Sequence, residues 1–331
     1  AAGPRISMDG ALHGGELLSG SAYVVLPDTP VDLRARARGD DAGWVLEEFA
    51  ADDPGVLALR GRADLRGDGL AALSLSLRSG DASALPGRYL SGWLGEAGLG
   101  GLALAGGLDV DVDVADGALA ALALRADALD VVAPDGRFRI DGLDGEVRLA
   151  SAGEVDSELR WQAAAIGAIP VGPARLPWRS HAGALALRAP VVVDVLDGWL
   201  RIPALRLRPP GASGPLLIEG ALAVDAIDMA ALATALGLPA FPGTLSGSIP
   251  DVRYVGDRID FDGGLSLRAF DGEVRVSSLA MERPFGVAPT LLADIAVDGL
   301  DLQALTGVFE VGSISGRLHG HVDGLRLVDW E

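Results

Sequence analysis

The chain has no cysteine, no lysine and no asparagine among its 331 residues, and only 5% of them are aromatic. Without thiols there is no disulfide framework, no thiolate chemistry and no Cys-ligated zinc site. That absence is compatible with an oxidising compartment. All 27 basic residues are arginine; they face 46 acidic ones, for a formal charge of −19. Such a surface lacks the cation density that a phosphate backbone requires, which excludes nucleic acid as a partner. Lysine and asparagine both have AT-rich codons, so their joint absence points to a high-GC bacterial genome. Neither a Gly-x-Ser-x-Gly elbow nor a phosphate-binding loop is present. The uncharged window from Met229 to Pro250 contains Gly237, Pro239, Pro242 and Gly243. It reads as a short helix, a loop and a strand, not as a membrane span, which needs about 20 mostly apolar residues in a row.

What is abundant is aliphatic. Hydrophobic residues make up 49% of the chain and the mean hydropathy is +0.32, which argues against disorder. The aliphatic residues alternate with polar ones at period two. Examples are Val31-Asp32-Leu33-Arg34-Ala35-Arg36, Leu73-Ser74-Leu75-Ser76-Leu77-Arg78, Leu108-Asp109-Val110-Asp111-Val112-Asp113-Val114, Leu205-Arg206-Leu207-Arg208 and Leu265-Ser266-Leu267-Arg268. The run Ile314-Ser315-Gly316-Arg317-Leu318-His319-Gly320-His321-Val322 has the same form. Strand side chains point alternately to opposite faces, so each run makes one polar and one apolar face.

Asp-Gly and related dipeptides punctuate the runs, at Asp9-Gly10, Gly67-Asp68-Gly69, Asp116-Gly117, Asp197-Gly198, Asp271-Gly272 and Asp323-Gly324 among others. They supply the positive φ of tight hairpins, so sequential strands should be antiparallel. The stretches Leu99 to Val114 and Ala118 to Val132 predict strands far longer than the usual five or six or so residues. Three windows predict short helices: Leu85 to Leu94 with Ser83 as N-cap, Met229 to Leu236 between Asp228 and Gly237, and Leu302 to Thr306 after Asp301.

These features predict a mainly β fold, a long, twisted, mostly antiparallel sheet with a few short helices, whose apolar face is either sealed in a sandwich or barrel core or left as an open groove, a half-barrel filled by lipid. Long strands joined by hairpins tend toward one continuous twisted sheet, and three short helices are too few to cover its apolar side. Residues 1–331 read as one continuous β-groove fragment of a longer protein, with soft breaks near 83–95 and 228–237. The expected groove lining is Leu102, Leu104, Leu108, Val110, Val112, Val114, Leu122, Leu124, Leu265, Leu267, Ile314, Leu318 and Val322. A lining of small aliphatic residues with few rings suits flexible acyl chains.

Other polar groups read plainly. Asp109, Asp111 and Asp113 share a strand face but sit about 7 Å apart along it, too spread for calcium, and form a solvated face. His319 and His321 have no evident third ligand, so no metal site is expected. Arg34, Arg36 and Arg38 read as a solvent face balancing the acidic excess. Ser246, in Gly243-Thr244-Leu245-Ser246-Gly247, is only a weak echo of a serine motif. The tryptophans 44, 93, 161, 178 and 199 are scattered packing residues, with Trp93 beside Tyr89 a candidate for a groove rim. No catalytic residue and no cofactor is expected.

The order of Gly243-Thr244-Leu245-Ser246-Gly247-Ser248-Ile249-Pro250, Phe261-Asp262-Gly263-Gly264-Leu265, Phe270-Asp271-Gly272-Glu273-Val274, Leu300-Asp301-Leu302-Gln303-Ala304-Leu305-Thr306 and Gly312-Ser313-Ile314-Ser315-Gly316-Arg317-Leu318-His319-Gly320 resembles the C-terminal region of the AsmA-like superfamily. The similarity covers residues 225–331, and the branch is that of YdbH, related to TamB and YhdP. It favours the open groove over a sealed core and implies a periplasmic protein anchored in the inner membrane through a segment outside this fragment. It also implies a non-enzymatic role in carrying phospholipid between the inner and outer membranes, with an outer-membrane partner protein. The rival expectations are a scaffold or assembly factor for outer-membrane proteins and, behind it, a hydrolase.

Overall fold

A computed structural model of the chain describes residues 3–67, 69–211, 214–284 and 288–328. The expected turn at Asp68 and the chain ends Ala1-Ala2 and Asp329-Trp330-Glu331 lie outside the described residues. The fold is mainly β, 68% strand and 10% helix, with a large antiparallel sheet and, among the described residues, no closed barrel. The chain forms two compact units. Unit 1 comprises Ala1–Gln162, Arg175–Ala186 and Gly211–Gly214; unit 2 comprises Ala163–Ala174, Leu187–Pro210 and Pro215–Glu331. The divisions fall between 162 and 215, not at the short helices near 83–95 and 228–237.

Unit 1 begins with β1 (Arg5–Leu12), a small separate hairpin of β2 (Glu16–Ser19) and β3 (Ala22–Val25), and then β4 (Val31–Asp40), β5 (Gly43–Asp53), β6 (Leu57–Arg66) and β7 (Gly69–Ser79). It continues with β8 (Ala103–Ala115), β9 (Ala118–Val132), β10 (Phe138–Ala150) and β11 (Glu154–Trp161). The short strands β12 (Ala163–Ile166) and β13 (Ile169–Val171) belong to unit 2, and β14 (Ala174–His181) and β15 (Ala184–Leu187) fall largely in unit 1. In unit 1 the order β1-β4-β5-β6-β7-β8-β9-β10-β11 is antiparallel at every step.

Unit 2 contains β16 (Val191–Val195), β17 (Gly198–Arg208), β18 (Leu217–Asp228), β19 (Gly243–Val255), β20 (Arg258–Ala269), β21 (Gly272–Glu282), β22 (Thr290–Asp301) and β23 (Arg317–Val328). They pair antiparallel in chain order. Several strands are long, 13 residues in β8, 15 in β9 and 13 in β19.

The helices fall in the three expected windows. Between β7 and β8 the chain makes a 3₁₀ turn (Ala82–Ala84), a π turn (Pro86–Leu90) and α1 (Ser91–Glu96). The cap is Asp81, whose carboxylate accepts from the Ser83 amide at 3.0 Å, and not Ser83 itself. Helix α2 (Met229–Ala235) is capped by Asp228, which accepts from the Ala231 amide. Helix α3 (Leu302–Phe309) is capped by Asp301, which accepts from Gln303 and Ala304.

Bulges run in a line across unit 2. Between Arg201 and Ala204 β17 advances three residues while β18 advances two, from Ala223 to Ala221. β19 does the same from Ser248 to Asp251, β21 from Ser277 to Ala280, and β23 from Val322 to Leu325. An odd step inverts alternation, so the apolar positions slip by one within each of these strands: Leu245 and Gly247 before the line in β19, Val252 and Tyr254 after it. Across this line the even-stepping partners keep their phase and the apolar residues stay on one face; β18 and β22 make odd steps of their own elsewhere, from Val224 to Ile227 and from Val297 to Leu300. Each bulge also bends its strand and raises its twist.

Gly263 sits in this line with φ +133°, where a Cβ would fall 2.4 Å from the Ser248 carbonyl oxygen. Gly263→Ala should therefore lower unfolding stability by about 2 kcal/mol or more, from backbone strain and a backbone clash together. Gly256→Ala, at φ +56° with nothing within 4 Å, should cost about 1 kcal/mol. Urea unfolding with an unchanged m-value measures both; equal losses at the two positions would contradict the close-approach argument.

Candidate functional site

In antiparallel ladders directly paired residues present their side chains on the same face. In unit 1 this draws a lane of Met8, Ala35, Phe49, Gly61, Leu75, Val112, Leu122 and Leu149 across eight strands. Beside it run Leu59, Leu77, Val110, Leu124 and Val147. The first lane needs glycine at position 61, because a Cβ there would meet the Phe49 ring at 2.4 Å. In unit 2 the matching lane is Leu200, Val224, Gly247, Leu265, Val276, Ile295 and Val322. No polar residue interrupts any of these lanes.

Their middles are only half-buried: Leu75, Val110, Val112, Leu122, Leu124, Val224, Leu265, Val276 and Ile295 all lie between buried and exposed. Two clusters of fully buried residues lie under the helices. In unit 1, Leu57, Ala82, Leu85, Ala126 and Leu129 form a core against which Tyr89, Leu90, Leu104 and Leu108 pack. In unit 2, Met229, Ala233, Phe241 and Ala269 do so, with Leu245 and Leu267 against them.

The expected lining residues thus divide. Val110, Val112, Val114, Leu122, Leu124 and Leu265 lie on the apolar face and are half-buried. Leu104, Leu108 and Leu267 lie at its helix-covered ends, so the short helices do cover part of the face they were expected to leave bare. Leu318 and Val322 belong to β23 and are 38% and 49% exposed. Leu102 precedes β8: its amide donates to the Leu99 carbonyl in a turn, so the strand expected from Leu99 starts at Ala103. Ile314 precedes β23, its amide donating to Thr306 Oγ1 at 3.4 Å. The period-two pattern before Gly316 is therefore a loop leaving α3, and Arg317, which donates to the Gly299 and Asp271 carbonyls, opens the strand.

The opposite face is ionic. Arg34 pairs with Asp9, Arg36 with Glu48 and Arg38 with Glu47; Arg78 pairs with Asp109 and Asp111. Exposed pairs of this kind contribute little each, but they keep that face wet. A cleft of about 810 Å³ opens on it between Arg78, Asp109, Arg125 and Glu146. Arg78 pairs there with Asp109 and Arg125 with Glu146, while Asp52, Asp81 and Asp127 also line the cleft. His319 Nδ1 lies 2.7 Å from Asp298 Oδ1 and His321 Nε2 3.8 Å from Asp323 Oδ2. Among the described residues no group of three metal-ligating side chains converges. Ser246 sits within β19, not at an elbow, and its Oγ accepts from the Ala226 amide at 3.0 Å. Trp178 is buried, whereas Trp44, Trp93 and Trp199 are exposed. No helix among the described residues is long and apolar enough to cross a membrane.

One cluster escaped the periodicity argument. Asp53, at the end of β5 and 2% exposed, accepts from Arg88 Nη1 at 2.7 Å and from the Tyr89 hydroxyl at 2.8 Å. Burial, with the hydrogen bond to Asp53 behind it, pushes the Tyr89 hydroxyl pKa well up, so that group stays a donor. This pair of bonds seats the helical segment 82–96 on the apolar face. The sequence signal was a carboxylate at the last, inward-facing position of a strand, together with Arg-Tyr in the following helical window.

No family model, no curated protein and no solved structure matches the chain.

Asp53→Ala takes the shared acceptor from a half-buried guanidinium and a half-buried hydroxyl, which should destabilise unit 1 by about 1–3 kcal/mol. Amide exchange over residues 82–96 should accelerate most; uniform acceleration over β6 to β9 instead would mean the cluster does not hold that segment. A second expectation concerns acid. The hydrogen bond from Arg148 holds the Glu146 carboxyl below the usual range against the opposing effect of burial. For Asp111 burial pushes upward, but hydrogen bonds from Ser76 and Arg78 outweigh it and hold the carboxyl low. Carboxyls lowered in the folded state stabilise it above their unfolded pKa, and that contribution is lost as the pH falls through the folded values. Thermal midpoints should drop below about pH 4, and Glu146→Gln should flatten that drop; an identical profile in the variant would refute the assignment.

Proposed function

We propose that this chain is a non-enzymatic lipid conduit whose sheet curls into an open groove, a half-barrel, with acyl chains lying along the aliphatic face and headgroups left in water. The observation that carries this reading is the apolar lane, uninterrupted by any polar residue, running from Met8 to Leu149 across eight strands of unit 1, half-buried through its middle at Leu75, Val112 and Leu122. At roughly 25 cal/mol per Å², several hundred Å² of such surface left against water costs many kcal/mol, and patches of that size mark binding surfaces. Aliphatic groups in a row offer uniform dispersion contacts without a polar anchor, so a bound chain has no deep minimum to leave and slides. The charged opposite face keeps the conduit in water.

The motif order in residues 225–331, similar to the AsmA-like superfamily and its YdbH branch, supports the same reading. It extends it to a periplasmic protein, anchored in the inner membrane by a segment elsewhere in the full-length chain. The cargo would be phospholipid moving between the inner and outer membranes. A second reading, a scaffold or assembly factor for outer-membrane proteins, is favoured by β1 and β23: every residue of β1 and ten of the twelve in β23 are exposed. Exposed strands of this kind pair with client strands. The mid-strand, hydrogen-bonded Ser246 gives a hydrolase little support, and activity-based serine probes should leave it unlabelled.

Mass spectrometry of lipids retained through purification separates the two leading readings. A conduit should carry phospholipid, and a scaffold should come out empty. Val112→Asp places a carboxylate in the middle of the lane and should reduce retained lipid and lipid transfer severalfold while the circular dichroism stays native. Unaltered transfer in that folded variant would count decisively against sliding along this face.

A further inference from the structure

We propose that the end of unit 2 built by α2, α3 and the loops after them docks on the surface of a zwitterionic phospholipid bilayer, inserting aliphatic side chains and using no charge. Phe241, in the loop after α2, stacks on Phe270 with ring centroids 4.9 Å apart and lies 6.3 Å from Phe309 at the end of α3. The two helix–loop segments therefore meet at one place. Around that contact the large apolar side chains point outward: Leu236 is 57% exposed, Leu238 49%, Val311 69% and Ile314 53%, with Phe309 at 36%. Five such residues on two adjoining loops form a cluster, unlike the single exposed hydrophobics that any surface carries.

The chemistry of the cluster selects its occupant. From Met229 to Pro250 the chain carries no charged residue, and between Leu302 and Gly316 the only one is Glu310. A chain of net charge −19 with no cation in either loop gains nothing from anionic headgroups, so attraction must come from burying apolar surface in the headgroup–acyl boundary. Protein partners are gripped mainly through Trp, Tyr and Arg, none of which is among the five. The lane Ile227, Leu245 and Leu267 runs up to the same helices, so the cluster continues an apolar surface already present. The inference goes beyond the conduit reading and does not require it, since a docking tip needs no lipid in the groove.

The test is flotation of the whole chain with phosphatidylcholine vesicles. The wild-type protein should float with them, and added salt should not release it. Leu238→Asp combined with Val311→Asp, both at exposed sites, should keep the thermal midpoint and lower the partition coefficient by about tenfold or more. Leu17→Asp with Leu18→Asp, the same charge added at exposed sites of the separate β2–β3 hairpin, should leave partitioning unchanged. Failure of the wild type to float, equal flotation of the Leu238/Val311 variant, or equal loss in the Leu17/Leu18 control would each overturn the proposal. So would a wild-type dimer, found by sedimentation equilibrium, that the Leu238/Val311 variant splits and that ignores vesicles, because the occupant would then be a second copy of the chain. Flotation by a protein that retains no lipid would leave docking standing while the conduit reading fell, which keeps the two ideas separable.

Discussion

Keeping aliphatic side chains in line from strand to strand is the constraint on which the rest of this molecule depends. In an antiparallel ladder a slip of one residue sends every following side chain to the other face. Strands as long as β9 and β19 also accumulate twist and need somewhere to bend. Unit 2 reconciles the two demands by placing its bulges side by side. At one line β17, β19, β21 and β23 step by three residues while β18 and β22 step by two. The inversion within each odd-stepping strand is matched by the phase of its own sequence, Leu200 and Ile202 before the line and Leu205 and Leu207 after it. The strands bend and the aliphatic face survives.

A sheet with one apolar face normally finds a second layer to cover it. Here the covering is local. In unit 1 the helical segment 82–96 lies on Leu59, Leu77, Leu104 and Leu108, and in unit 2 α2 lies on Leu245 and Leu267. The polar bonds that seat the first of these, from Arg88 and Tyr89 to buried Asp53, are there because a carboxylate out of water must be paired. Aliphatic contact alone would let so short and irregular a segment shift along a featureless surface, whereas a buried ion pair has one geometry. The helices thus cover the ends of the apolar faces, and the lane residues between them, such as Leu75, Val112 and Leu265, are half-buried.

That distribution is what links the fold to the proposed transport. A site that discriminates among ligands places a few polar groups in an apolar surround; these lanes place none. On the other face many polar groups pair with one another, Arg78 with Asp109 and Asp111 and Arg36 with Glu48, and the carboxylates in excess give the chain its net charge of −19. The exposed aliphatic cluster of Leu236, Leu238, Val311 and Ile314 has the same character: apolar, uncharged and unspecific, as befits a partner that is a phase and not a shape.

Alternation, turn dipeptides and helix caps are local properties, and they were legible in the residues themselves. They determined a mainly β chain, antiparallel hairpins of unusual length, three short helices in the right windows with Asp228 and Asp301 as caps, and a wet face carrying Asp109, Asp111 and Arg34 to Arg38. The same local logic misplaced Leu102 and Ile314, since period two continues by chance through the loops that leave α1 and α3. Tertiary structure alone decided where the strands invert phase, which leucines the helices cover, that Asp53 is buried against Arg88 and Tyr89, and that Phe241 brings two distant loops together. Each of those depends on residues far apart in the chain meeting at one distance and angle, and a one-dimensional pattern carries only what neighbours along the backbone impose on each other.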